Sequence, residues 1–221
     1  MNINKAGKPV ELIIFDWDGT LMDSVAKIVN CFRKAVADVG VDYPGDGATQ
    51  NIIGLGLKEG LDILLPGVEH TTRQQVVGRY REHFLHLDET EMPLFKGVEE
   101  GLKKLQGDNY SLAIATGKAR IGLDKVLEYT QLGEYFVASR CADEAISKPH
   151  PRMVLDILAE TGVFADNAIV VGDTTYDIQM AHRAGTEALA VCYGVHTNEK
   201  LKAEKPLACV DDFDSVIEWF L

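Results

Sequence analysis

Short β-rich apolar runs that alternate with helical patterns constrain the fold of this chain more than any other feature. The runs fall at 11–15, 111–115, 135–138, 168–171, 188–192 and 207–210. Helical patterns lie at 97–106, 119–130, 151–161, 177–184 and 212–220. Strands joined through helices favour parallel pairing, with helices covering both faces of the sheet. The expected fold class is therefore α/β, a doubly wound, Rossmann-like parallel sheet. Ligands of such sheets collect at the carboxyl ends of the strands.

One connection breaks the alternation. The stretch 16–110 is far longer than a crossover needs, and it is not loop-like. Val25, Ile28, Val29, Phe32, Val36 and Val39 form an apolar stripe at helical spacing, with Ser24 as the expected N-cap and Gly40 as the stop. Further helical patterns run through 57–65 and 72–87. Helices that bury such stripes against each other form a unit of their own. The expected organisation is a core of 1–22 and 93–221 carrying an inserted all-helical cap domain, 23–92. A lid hinged on two crossings can exclude water from a site beneath it.

Net charge is −12 with no basic cluster, so nucleic acid and anionic membrane surfaces are not expected partners. An anionic small substrate would need local cations. The cysteines are scattered, with no CxxC pair, and Cys192 and Cys209 sit in apolar runs as expected core residues. Residues 1–9 are polar without a signal-like run, and no stretch is long enough to span a bilayer. A cytoplasmic protein is expected. No interface stripe stands out, so the expected state is a monomer or weak homodimer.

Four motifs sit where strands should end. Asp16-Trp17-Asp18-Gly19-Thr20 follows the run Leu12-Ile13-Ile14-Phe15. Two-residue periodicity would send both carboxylates to one side, where they repel unless a cation or shared proton intervenes. The plain alternative is an Asp-Gly turn. Thr116-Gly117-Lys118 follows the second run, suiting phosphate oxygens, or else placing a Thr at a helix N-cap. Lys148 lies in Ser147-Lys148-Pro149-His150-Pro151, next to a helix start. Gly172-Asp173-Thr174-Thr175-Tyr176-Asp177 puts two acids at the end of a buried run, a setting that suits a hard cation. Trp17 is expected to pack. His83 and His86 share a helical spacing but lie in an amphipathic segment, while Asp211, Asp212 and Asp214 suit the start of the last helix.

Together these residues resemble the haloacid dehalogenase-like superfamily of aspartate-nucleophile phosphohydrolases. The matching motifs are DxDGT at Asp16–Thr20, Thr116, the KP pair at Lys148, and GDxxxD at Asp173 and Asp177. The helical insert resembles the cap of the phosphoglycolate phosphatase and β-phosphoglucomutase branch. The resemblance implies two-step phosphoryl transfer with Asp16 as nucleophile and Asp18 as acid, then base. It implies Mg²⁺ on Asp16, the Asp18 backbone carbonyl and Asp173, with Asp177 joining through water or orienting Lys148. It also implies phosphate contacts from Thr116, the Gly117 amide and Lys148. Dehalogenases of the superfamily lack the second acid, so Asp18 favours phosphoesters. Gly54, Gly56 and Lys58, in a loop that interrupts the cap helices, are candidate specificity residues, although the glycines would serve equally as a simple helix joint. The expected function is a Mg²⁺-dependent phosphatase of a small anionic phosphoester, with phosphoglycolate first. The alternatives are a sugar-phosphate mutase and, from another class, a non-catalytic phospho-receiver-like or partner-binding module.

Overall fold

The computed structural model describes residues 2, 3, 7 and 9–221. Of the polar opening 1–9, residues 1, 4–6 and 8 lie outside the described residues. The chain begins with an antiparallel ribbon of β1 (Asn2–Ile3) and β2 (Pro9–Val10), followed by β3 (Leu12–Phe15). Four helices come next: α1 (Val25–Val39), α2 (Asp46–Gln50), α3 (Leu57–Leu64) and α4 (His70–Glu82). The last runs into a π-helical turn, His83–Leu87. Alternation then resumes with α5 (Val98–Gly107), β4 (Ser111–Thr116), α6 (Arg120–Thr130), β5 (Phe136–Cys141) and α7 (Arg152–Thr161). It continues through β6 (Ala168–Gly172), α8 (Thr175–Ala184), β7 (Glu187–Val191), α9 (Asn198–Ala203), β8 (Ala208–Val210) and α10 (Phe213–Phe220).

The strands β3 to β8 form one parallel sheet in the order β5-β4-β3-β6-β7-β8. This is the expected α/β sheet. Side chains of β3 alternate between its two faces. Ile13 and Phe15 pack with Leu102, Leu123 and Phe213 on one side, and Leu12 and Ile14 with Met153, Ile157 and Ile178 on the other. A strand covered on both faces reads as a continuous apolar run, which is why Leu12–Phe15 has no polar alternation. Each such side chain contributes about 1.5–3 kcal/mol by leaving water. Trp17 is fully buried in the first of these cores, as a packing residue.

A third apolar cluster belongs to the helices after β3, and joins Phe32, Ala35 and Val36 of α1 to Leu61 and Val76. The chain leaves and re-enters the sheet region at adjacent points. Asp23 N–H donates to the Pro93 carbonyl (2.8 Å), and Phe95 N–H to that of Leu21 (3.0 Å).

Several local expectations change. Gly40 does end α1 in the left-handed region, but the Ser24 hydroxyl does not cap it, being committed to Asp18. The pattern over 72–87 is two pieces, α4 and the π turn, and His83 and His86 both lie in the turn, the first buried and the second exposed. His83 meets Asp38 at 2.7 Å. Cys192 and Cys209 are half-buried at the edge of the second core rather than inside it. Asp212 caps α10 by accepting from the Ser215 amide (2.7 Å). No helix among the described residues is long and apolar enough to cross a membrane.

Candidate active site

The strand order reverses between β3 and β6, the chain having first wound outward to β5 and then to β8. Such a switch point opens a crevice at the carboxyl ends of the strands. Asp16 follows β3 and Asp173 follows β6. Asp16, Asp173 and Asp177 are all buried, and one oxygen of each lies within 4.8 Å of the others. Lys148, on the loop before α7, is 2.8 Å from Asp16 Oδ1 and donates to Asp177 Oδ1 at 2.6 Å. Both Asp16 oxygens are buried, and among the described residues the Lys148 ammonium is the cation paired with them.

The other two acids are held more fully. Asp173 accepts from the Thr20 hydroxyl (3.1 Å) and the Val195 amide (2.7 Å). Asp177 Oδ2 accepts from the amide and hydroxyl of Thr174 (3.1 and 2.7 Å), completing a capping box at the start of α8. Gly19 lets the first motif fold back over this group. Its φ is +83°, and a Cβ there would stand 2.2 Å from Asp173 Oδ2.

Burial pushes the Asp16 carboxyl well above the ordinary carboxylate range, and the neighbouring Asp177 and Asp173 add to this against the pull of Lys148. Burial and Asp177 likewise push the Asp173 carboxyl up to about 7. Burial works against the Lys148 ammonium, but Asp16 and Asp177 outweigh it and raise its pKa. With all three acids ionised, a single ammonium leaves two negative charges uncompensated.

Asp18 goes elsewhere. β3 ends at Phe15, so strand periodicity does not extend to the second acid, and the two carboxylates do not share a partner. Asp18 Oδ1 accepts from the Ser24 hydroxyl (2.6 Å) and meets Lys118 Nζ at 2.9 Å. Its carboxylate is not part of the acidic group, which leaves only its backbone carbonyl for the metal contact the resemblance implied. Thr116 is buried at the end of β4 and accepts from the Lys118 amide (3.1 Å). It is not the cap of α6, whose N-cap is Ala119.

Asp16, Asp18 and Gly117 line one end of a cavity of about 340 Å³, and Gly54, Gly56 and Lys58 line it as well. The loop carrying these glycines sits directly on the motif loops. Gly56 N–H donates to Ser147 Oγ (2.7 Å), and the Asn51 carbonyl accepts from the Tyr176 hydroxyl (2.8 Å). A Cβ on Gly117 would stand 2.6 Å from the carbonyl oxygens of both Gly54 and Leu55. Those are backbone atoms and cannot swing aside. Gly117→Ala is therefore expected to hold the loop off the site and lower kcat/KM for phosphate release by roughly tenfold or more. Steady-state kinetics at unchanged melting temperature is the check.

A model of the haloacid dehalogenase-like hydrolase family matches residues 13–191. The chain belongs to that family. It is 38% identical over 210 residues to a Dickeya dadantii protein named "Probable phosphatase IndB", covering 93% of this chain and 91% of that one. It is 30% identical to a phosphoglycolate phosphatase of Aliivibrio fischeri, covering 92% and 93% of the two chains. A haloacid dehalogenase-like family hydrolase from Streptococcus pneumoniae shares its fold, with a TM-score of 0.83 at 23% identity over 96% of this chain and 99% of that one.

Some residues of this haloacid dehalogenase-like site carry no clear signal in the sequence. Lys118 reads only as part of a loop, yet its side chain is buried against Asp18 and its ammonium stands 4.6 Å from the centre of the Phe84 ring. Ser24 reads as a helix cap, yet its hydroxyl donates to Asp18. Tyr80 lines the cavity, and burial together with the Asp18 carboxylate pushes its phenol well above the ordinary range. Only the two-residue step from Thr116 to Lys118 was a local signal.

The raised acids also set a pH dependence. Unfolded carboxyls titrate near pH ~4. The folded, metal-free hydrolase binds protons more tightly at Asp16 and Asp173, so its stability falls as pH rises from there through about 7. The melting temperature in chelator is expected to drop by roughly 5 °C or more between about pH 5 and pH 8. Added Mg²⁺ is expected to remove most of that drop. A profile rising with pH would show that these acids are not raised.

Proposed function

We propose that this hydrolase cleaves small phosphate monoesters through a covalent phosphoryl–Asp16 intermediate, with Mg²⁺ as its metal. The observation that carries the reading is Asp16 itself, buried beside Lys148 and two further acids and lining a substrate-sized cavity. The donor set fits a hard divalent cation: it is all oxygen, and its uncompensated charge equals that of one such ion. Asp16, Asp173 and the Asp18 backbone carbonyl would hold the ion, with Asp177 joining through water or only orienting Lys148. When bound, Mg²⁺ neutralises the repulsion between carboxylate and phosphate dianion.

An Asp16 oxygen attacks phosphorus and the bond to the leaving oxygen breaks. Asp18 donates a proton to that oxygen as it departs. Asp18 then takes a proton from water, whose oxygen attacks phosphorus and breaks the bond to Asp16, releasing phosphate. Thr116, the Gly117 amide and Lys148 hold the phosphoryl oxygens as their charge redistributes. The helices of 23–92 act as a cap that excludes water and selects the alcohol, with Gly54 and Gly56 on the selecting loop and Lys58 in the first turn of α3 that follows it. The relative named as a phosphoglycolate phosphatase supports small phosphoesters as the substrate class.

The test is phosphate release from a panel of metabolite monoesters, with Mg²⁺ and in chelator. Release that chelation leaves unchanged would overturn the metal assignment, and isomerised product in place of free phosphate would favour a mutase.

A further inference from the structure

We infer that the alcohol portion of the substrate is an apolar, ring-sized group seated between α1 and α4. The inference rests on the reading of Asp16 just given and narrows its substrate class. It goes against phosphoglycolate, whose alcohol is a two-carbon acid.

The cavity has two ends of different character. Asp16, Asp18 and Gly117 mark the reacting end. The far end is walled by Ile28 and Phe32 of α1, Val77 and Tyr80 of α4, Phe84 of the π turn and Ile53 of the loop. At about 340 Å³ the space exceeds the ordinary voids of a packed interior. An apolar cavity of about 150 Å³ already holds benzene. A phosphate with a two-carbon acid would leave the far end empty, whereas a phosphate with a substituted ring would reach it.

The charges agree with the shape. Lys118 is the buried cation of the cavity, and it is already paired with Asp18 and covered by the Phe84 ring. Lys58 and Arg81 line the cavity too, but both are exposed. A carboxylate in the far end would lose water without gaining a free buried cation, which is unfavourable, while an apolar ring gains from the same transfer. Tyr80 supplies one polar handle, since its hydroxyl makes no hydrogen bond among the described residues. Its ring stacks on Phe84, with centroids 5.8 Å apart. The hydroxyl is free to fix the orientation of a ring substituent.

The experiment compares kcat/KM, with Mg²⁺, for benzyl phosphate, glucose 6-phosphate and phosphoglycolate, all monoesters of primary alcohols. Benzyl phosphate is expected to exceed both others by about tenfold or more. Val77→Phe, which fills the far end, is expected to lower the benzyl phosphate to phosphoglycolate ratio by about tenfold. Ile28→Phe tests the opposite wall if the first variant unfolds early. Equal or better turnover of phosphoglycolate or glucose 6-phosphate by the unaltered enzyme would overturn the inference and leave the Asp16 reading standing, provided Asp16→Asn abolishes that turnover. No release from any ester, the reactive p-nitrophenyl phosphate included, would overturn both.

Discussion

The Asp16→Asn enzyme is expected to lose phosphate release by roughly 10⁴-fold or more in kcat, the scale on which removing a nucleophile disables a catalytic unit. An amide has nearly the same shape but cannot supply the attacking oxygen. The change should not harm the fold. It removes a buried carboxyl that burial, Asp177 and Asp173 all disfavour as an anion, while Lys148 keeps its bond to Asp177. The metal-free variant is therefore expected to melt no lower than the parent at pH ~8. Two measurements are needed: single-turnover phosphate release, and the amount of acid-stable phosphoryl group left on the protein. Retained turnover, or a phosphoryl group trapped on another residue, would remove Asp16 from the role proposed.

Lys148→Met is expected to have the largest effect on stability. The methionine fills much of the same space but carries no charge. Asp16, Asp173 and Asp177 would then lie buried within 4.8 Å of each other with no ammonium beside them. Breaking a buried ion pair from one side costs about 3–5 kcal/mol. That loss is expected in chelator near neutral pH. It should shrink toward pH ~5, because the raised Asp16 and Asp173 carboxyls take up protons there and the repulsion fades. Mg²⁺ should recover part of it. Urea unfolding at several pH values, with and without the metal, gives the comparison. A variant as stable as the parent at pH ~8 and weaker at pH ~5 would contradict the charge balance described above.

The sheet and the reacting end of the site were legible because their signals are local. An apolar strand running straight into a motif, as at Phe15–Asp16 or Val171–Asp173, places the side chain by chain continuity alone. Lys148 was visible for its motif, and the resemblance already offered Asp177 as a partner, whereas its pairing with Asp16 had no signal in the spacing. The misses share a different cause. Ser24 looked like a cap because a serine before an apolar stripe usually is one, and only the folded loop shows that Asp18 competes for its hydroxyl. Lys118 meets Phe84 across more than thirty intervening residues, a contact no spacing announces. The π turn at His83–Leu87 rotates Phe84 and Leu85 away from where regular α periodicity would put them. Short α2 and α9 were not expected because a single turn or two carries too little periodicity to register.

The paired crossings near Leu21–Asp23 and Pro93–Phe95 have an evolutionary corollary. Because the chain departs and returns through neighbouring backbone bonds, everything between them is a cassette with its two splice points side by side. Were those helices to select the alcohol as proposed, exchange of that cassette, by recombination or at the bench, would retune recognition without displacing the carboxylates beneath. What a transplanted segment must bring with it is a loop that still fits against Gly117 and Ser147.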